Sequence, residues 1–136
     1  RMLGAAGQEE RMTVHARFWV VVGALSGFLG VGLGAFGAHG LKDVLGPEQL
    51  AWWQTATLYQ MLHAPALVLA GVVPLVRPSS RVVGFLFFVG TVVFCGTLYL
   101  MALGAPRWFG AITPIGGLAL MAGWLAFALG AWRGRA

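Results

Sequence analysis

Four uninterrupted apolar runs, at about 18–38, 50–76, 82–103 and 111–132, restrict what this chain can fold into more than any other feature it has. A helix needs about 20 predominantly apolar residues to cross a hydrocarbon core of roughly 30 Å, and each run is read as long enough. The runs do not alternate apolar with polar residues, as the strands of a membrane barrel do. Only 10% of the residues are charged, against about 25% in soluble domains, which is too few to coat a water-exposed surface. The reading is an all-α polytopic membrane protein, an antiparallel bundle of four transmembrane helices. A polar extension precedes it at 1–17, and a basic tail follows at 133–136.

The basic residues orient the bundle. An even number of spans places both termini and the 77–81 turn on one side, with Arg1, Arg11, Arg17, Arg77, Arg81, Arg133 and Arg135. The opposite side holds Lys42 and Arg107. Lys and Arg concentrate in cytoplasmic loops, so the termini are expected in the cytoplasm. The same asymmetry accounts for the net charge of +5. No basic helix interleaved with stacking aromatics lies outside a span, so no nucleic-acid partner is expected. Trp19, Trp52, Trp53, Trp108 and Trp132 stand near predicted span ends and read as interfacial anchors. Residues 1–17 lack the apolar core of a signal peptide and are expected to be poorly ordered, or a short surface helix.

Small residues line two of the spans. Gly23, Gly27, Gly30, Gly34 and Gly37 recur at steps of four and three, which makes one stripe along the first helix. Gly116, Ala119, Gly123, Ala126 and Gly130 repeat the pattern in the fourth. Between lipid-solvated helices, packing replaces the hydrophobic drive that lipid removes, and small residues let backbones approach. The expected pairing is therefore first helix against fourth. GLGAFG is not a nucleotide loop, because no strand precedes it.

Polar groups are scarce inside the spans and fall together. Gly46, Pro47 and Glu48 suit a helix start, and the helix they begin carries Tyr59, Gln60 and His63 on one face. His63 lies about 16 Å beyond the Trp52–Trp53 entry, near the bilayer midplane. Thr91, Cys95 and Tyr99 form a second stripe in the third span at comparable depth. Unpartnered polar groups in hydrocarbon are costly, so Tyr59, Gln60, His63, Cys95 and Tyr99 are expected to face one another across the second and third helices. His63 is expected to donate to Tyr99 or to a carbonyl freed by Pro65.

Four segments, GAFGAHGLK, TATLYQMLH, GTVVFCGTLYLMAL and ITPIGGLALMAGW, resemble in order and spacing the domain-of-unknown-function 423 family. The resemblance spans residues 18–132 and implies a small four-helix protein of the bacterial inner membrane, in a family that also has eukaryotic relatives. It implies no chemistry. The third motif departs from the expected pattern at Cys95 and Thr97, and the extension before Arg17 lies outside it.

The residues themselves argue against catalysis. Glu9, Glu10, Asp43 and Glu48 all lie outside the spans, so His63 has no buried acid to orient it. His15 and His39 are expected at opposite ends of the bundle from one another and far from His63, which leaves no bis-histidine pair for haem. His63 and Cys95 lack further ligands for zinc. No enzyme activity, metal or cofactor is expected. The leading expectation is a non-catalytic accessory or scaffold subunit, partnered by membrane lipids and by other membrane subunits or a second copy. The alternative is a small outward-facing lipid or hydrophobic-ligand binding or transport protein that uses Tyr59, Gln60, His63 and Tyr99.

Overall fold

The computed structural model describes residues 2–134, and all of its regular structure is helical. Helix α1 (Met2–Phe36) runs into a π turn at Gly37–Leu41, and α2 (Pro47–Val72), α3 (Ser80–Ala102) and α4 (Thr113–Arg133) follow. Short 3-10 turns at Arg77–Ser79 and Arg107–Ala111 lead into α3 and α4.

Local chemistry sets the boundaries. Gly46, with extended backbone, precedes Pro47 at the start of α2, where a missing N–H costs nothing, and Glu48 lies in the first turn at the positive end of the helix dipole. At the end of α3, Gly104 takes a φ of +115°, and Ala105 N–H bonds Leu100 O at 2.8 Å while Gly104 N–H bonds Met101 O at 3.1 Å. This is the Schellman arrangement, which satisfies carbonyls the helix would leave bare.

Among the described residues, three helical stretches, Gly4–Leu41, Arg77–Ala102 and Arg107–Arg133, are long and apolar enough to cross a membrane. Helix α2 is long enough at 26 residues but is not among them, because Gln49, Gln54, Gln60 and His63 dilute its apolar content. The extension at 1–17 is not a separate element from residue 2 onward, since α1 continues through it. The segment is rich in Ala, Glu, Gln and Arg and has no proline. Adding such residues to an existing helix avoids the cost of nucleation.

Packing follows chain order, α1 on α2, α2 on α3 and α3 on α4. The expected pairing of α1 with α4 does not occur. The α1 stripe meets α2 instead: a methyl group on Gly23 would sit 2.7 Å from Ala64 O, and Gly30 lies under Met61, while Gly27 touches Ala64 more loosely. Gly37 receives the Trp53 indole, and Gly34 faces no neighbour. The α4 stripe receives α3, with Gly116 against the Phe94 backbone, Gly123 under the Phe87 ring, and Ala119 and Ala126 half-buried between them. Gly130 lies against Val76 and Ser79. Each seam thus accepts larger groups from its neighbour in sequence, whose short connection already holds it close. Phe87, Leu67, Val76 and Val83 form the fully buried centre.

Two of the five tryptophans expected as interfacial anchors are buried within the bundle instead. Trp19 and Trp53 are 6% and 3% exposed. Gly84 accepts the Trp19 ring, and Trp53 Nε1 donates to Leu33 O at 2.9 Å. Glycines in the facing helices open slots there, and a flat ring fills them. Trp52 is half-buried beneath Arg107, whose guanidinium carbon lies 5.4 Å from the ring centroid, while Trp108 and Trp132 are exposed. Arg107 also pairs with Glu48. At the opposite end of the molecule, Arg81 donates to His15 Nε2 at 3.1 Å.

Candidate functional site

The polar residues of α2 divide into two groups. Gln60 and His63 are both buried, but they look in different directions. Gln60 Nε2 donates to Ser26 O of α1 at 2.9 Å, and its Oε1 accepts from the Tyr99 hydroxyl of α3 at 2.7 Å. One amide therefore fastens three helices. Tyr99 also meets the edge of Trp53, with centroids 4.7 Å apart.

His63 turns toward α4. Trp124 Nε1 donates to His63 Nε2 at 3.0 Å. Because an indole N–H can only donate, Nε2 is the acceptor nitrogen, and Nδ1 carries the proton and donates to Tyr59 O at 2.8 Å. The ring is a neutral imidazole with both nitrogens engaged. Phe87 and Trp124 flank it, and Tyr59 lies parallel at 6.2 Å. The expected partners, Tyr99 and a carbonyl freed by Pro65, are not the ones used. Tyr99 is taken by Gln60, and the accepting carbonyl belongs to Tyr59, one helical turn before His63. Trp124 was not apparent as a site residue in the sequence, where it sits within an apolar run. The available signal was its indole N–H, which needs a partner wherever it is placed within the hydrocarbon.

Cys95 and Tyr99 belong with Gln60, at a cleft between α1 and α3. These two helices touch where Gly84 accepts Trp19 and separate beyond it. The space is about 420 Å³. Its walls are Val22, Leu25, Leu29, Leu67, Phe88 and Val92, and Ser26, Gln60, Thr91, Cys95 and Tyr99 supply its polar lining. Leu25, Leu29 and Val92 are more than half exposed, so the cleft opens sideways. Gly96 lines it too, and a Cβ added there would meet nothing within 4 Å. Cys95 is a free, buried thiol. A third polar pair, Thr97 and Thr113, joins α3 to α4 at 2.7 Å. With the Thr97 hydrogen turned to Val93 O, Thr113 is the donor of this pair, and its oxygen lies 3.3 Å from the Phe109 carbonyl. No group of three or more His, Cys, Asp or Glu able to hold a metal ion occurs among the described residues.

Comparison with known proteins places relatives beside this geometry. A family model described as protein of unknown function (DUF423) matches residues 33–117. A UPF0382 membrane protein of Staphylococcus saprophyticus is 42% identical over 118 residues, covering 86% of this chain and 98% of the relative. A UPF0382 membrane protein of Staphylococcus haemolyticus is 44% identical over 110 residues, covering 80% and 90%. The UPF0382 inner membrane protein YgdD of Escherichia coli K12 is 39% identical over 125 residues, covering 87% and 92%. No solved structure matches the chain.

Proposed function

The chain belongs to the DUF423 family of membrane proteins of unknown function, and we propose that it is a four-span inner-membrane protein that binds a hydrophobic ligand in the cleft between α1 and α3. The cleft itself carries the reading. It is within the usual size range of small-molecule sites, about 300–1,000 Å³, and joins apolar walls to a few polar groups. An α-helix is about 10 Å across even before its neighbours make room, so a space of about 420 Å³ suits a single hydrocarbon chain better than a partner's helix.

Helix α2 supports four crossings by its position. It is flanked by α1 and α3, each apolar enough to span, and its Gln60 and His63 are turned away from lipid. The excess of basic residues on the side of the termini supports a cytoplasmic location for both. Binding is favoured over catalysis because the acidic residues lie away from His63, whose two nitrogens are both occupied.

Gly96→Leu tests the proposal by placing a side chain in the cleft from a position where an added Cβ meets no neighbour within 4 Å. Native mass spectrometry of gently extracted protein should find a co-purifying lipid on the wild type and not on the variant. Identical bound species on both would overturn the assignment.

The reading as a non-catalytic accessory or scaffold subunit has its own support in the outward face of α1. There Gly27, Gly32 and Phe28 border a shallow groove of about 650 Å³, of a kind that suits a helix from another chain. Co-migration of the extracted protein with a larger assembly, lost on Gly32→Phe, would favour this second reading, and a solitary protomer would count against it.

A further inference from the structure

The polar lining of the cleft is unequally committed. Tyr99 has given its proton to Gln60, and Gln60 has given one amide hydrogen to Ser26 O, which leaves the second amide hydrogen free. Thr91 is 9% exposed, and its hydroxyl, fully buried, has no hydrogen-bond partner. A threonine within a helix ordinarily returns its hydroxyl to a carbonyl of the preceding turn, as Thr97 does to Val93 O at 2.8 Å. Thr91 does not. Ser26, opposite it on α1, lends its carbonyl to Gln60 but makes no side-chain hydrogen bond among the described residues. Beside the weakly donating thiol of Cys95, the lining thus keeps three spare N–H or O–H donors, and no Asp, Glu, Lys or Arg lies at the cleft.

We infer that the cleft takes an uncharged lipid bearing a carbonyl oxygen at mid-membrane depth, held by Thr91, Ser26 and the free amide hydrogen of Gln60. The inference rests on the cleft being a ligand site. Unpaired donors in hydrocarbon are costly, and each spare donor calls for an acceptor. Charge is excluded because a carboxylate or phosphate would enter a low-dielectric space with no cation to meet it. Depth narrows the class further. Thr91 and Gln60 both lie midway along their helices, where an ordinary phospholipid offers only methylenes, its ester oxygens being held at the headgroup boundary. The remaining candidates carry the carbonyl within a chain or on a neutral ring that sinks into the bilayer.

Four probes of known chemistry separate the possibilities in the full-length protein, with binding read by native mass spectrometry: dioctyl ketone, a decyl-substituted benzoquinone, heptadecane and palmitate. At least one carbonyl probe should bind about tenfold more tightly than heptadecane, the gain from one or two neutral hydrogen bonds. The tighter of the two identifies whether the carbonyl belongs to a chain or a ring. Thr91→Val combined with Ser26→Ala should abolish most of that preference while heptadecane binding persists, which also shows that the variant is folded. Equal binding of ketone, quinone and alkane to the wild type would overturn the inference but leave the cleft as an apolar site. Tighter binding of palmitate, or a full preference retained by the double variant, would also overturn it. Failure of every probe to bind, or undiminished binding by Gly96→Leu, would bring down the cleft reading itself.

Discussion

The indole N–H of Trp124 lies 3.0 Å from Nε2 of His63, tying together α2 and α4, two helices that each pack chiefly on α3 rather than on one another. The long indole reaches past Phe87, whose ring it meets edge-on at 4.9 Å, and ends on the one nitrogen of His63 that can accept.

This bond fixes a tautomer. Nitrogen NMR of histidine-labelled protein should find His63 neutral with the proton on Nδ1. Trp124→Phe keeps the ring contacts and removes the donor, and should lower unfolding stability by about 1 kcal/mol. Proton occupancy at Nε2 in the wild type would contradict the arrangement.

Gln60 and Tyr99 should behave as a coupled pair. Tyr99→Phe removes the donor to Gln60 Oε1, and Gln60→Leu removes the acceptor. A double-mutant cycle on thermal or denaturant unfolding is expected to give a coupling of about 0.5–1 kcal/mol. Strict additivity would mean that the hydrogen bond contributes nothing.

The glycine stripe of α1 is unequal along its length. Gly23→Leu drives a side chain into the Ala64 carbonyl and Val68, whereas Gly34→Leu meets open space. The first variant should fail to assemble or lose more than 3 kcal/mol, an overpacking cost at the upper end of about 1–3 kcal/mol or beyond. The second should match the wild type in yield and melting temperature. Gly116→Leu, which collides with the Phe94 backbone, should resemble Gly23→Leu.

The Arg107–Glu48 pair should matter little. Its side chains are 71% and 52% exposed, and exposed pairs contribute about 0–1 kcal/mol, less as salt rises. Glu48→Gln is therefore expected to shift stability by less than 1 kcal/mol, with any shift fading in high salt.

The sequence made helix number, the starts of the later helices and the polar residues legible, because each rests on short-range rules, but not that α1 begins at Met2. Gly46-Pro47-Glu48 starts α2, whereas the single face expected for Tyr59, Gln60 and His63 divides, Gln60 turning to α1 and α3 and His63 to α4. Partner choice was less legible. The two small-residue stripes looked alike, yet α1 uses its own against α2 while α4 uses its own to seat Phe87 and Phe94. A stripe of small residues indicates close approach without naming what approaches. Trp19 and Trp53 were misread for a related reason: a tryptophan near a span end suits a headgroup unless a facing glycine makes a slot for it. Gly84 and Gly37 make those slots, and pairing them with their tryptophans requires the helix register. The cleft could not be read from sequence, since it arises where α1 and α3 fail to meet.

Helix α1 has 35 residues, about 52 Å of rod at 1.5 Å each, and no proline interrupts it. A bilayer with its headgroups is about 40–45 Å thick, so the amino-terminal turns stand clear of the lipid as a stiff handle. Leu25 and Leu29, farther along the same rod, form one wall of the cleft. Handle and wall are thus one continuous rod, so a tilt of the one would carry the other with it.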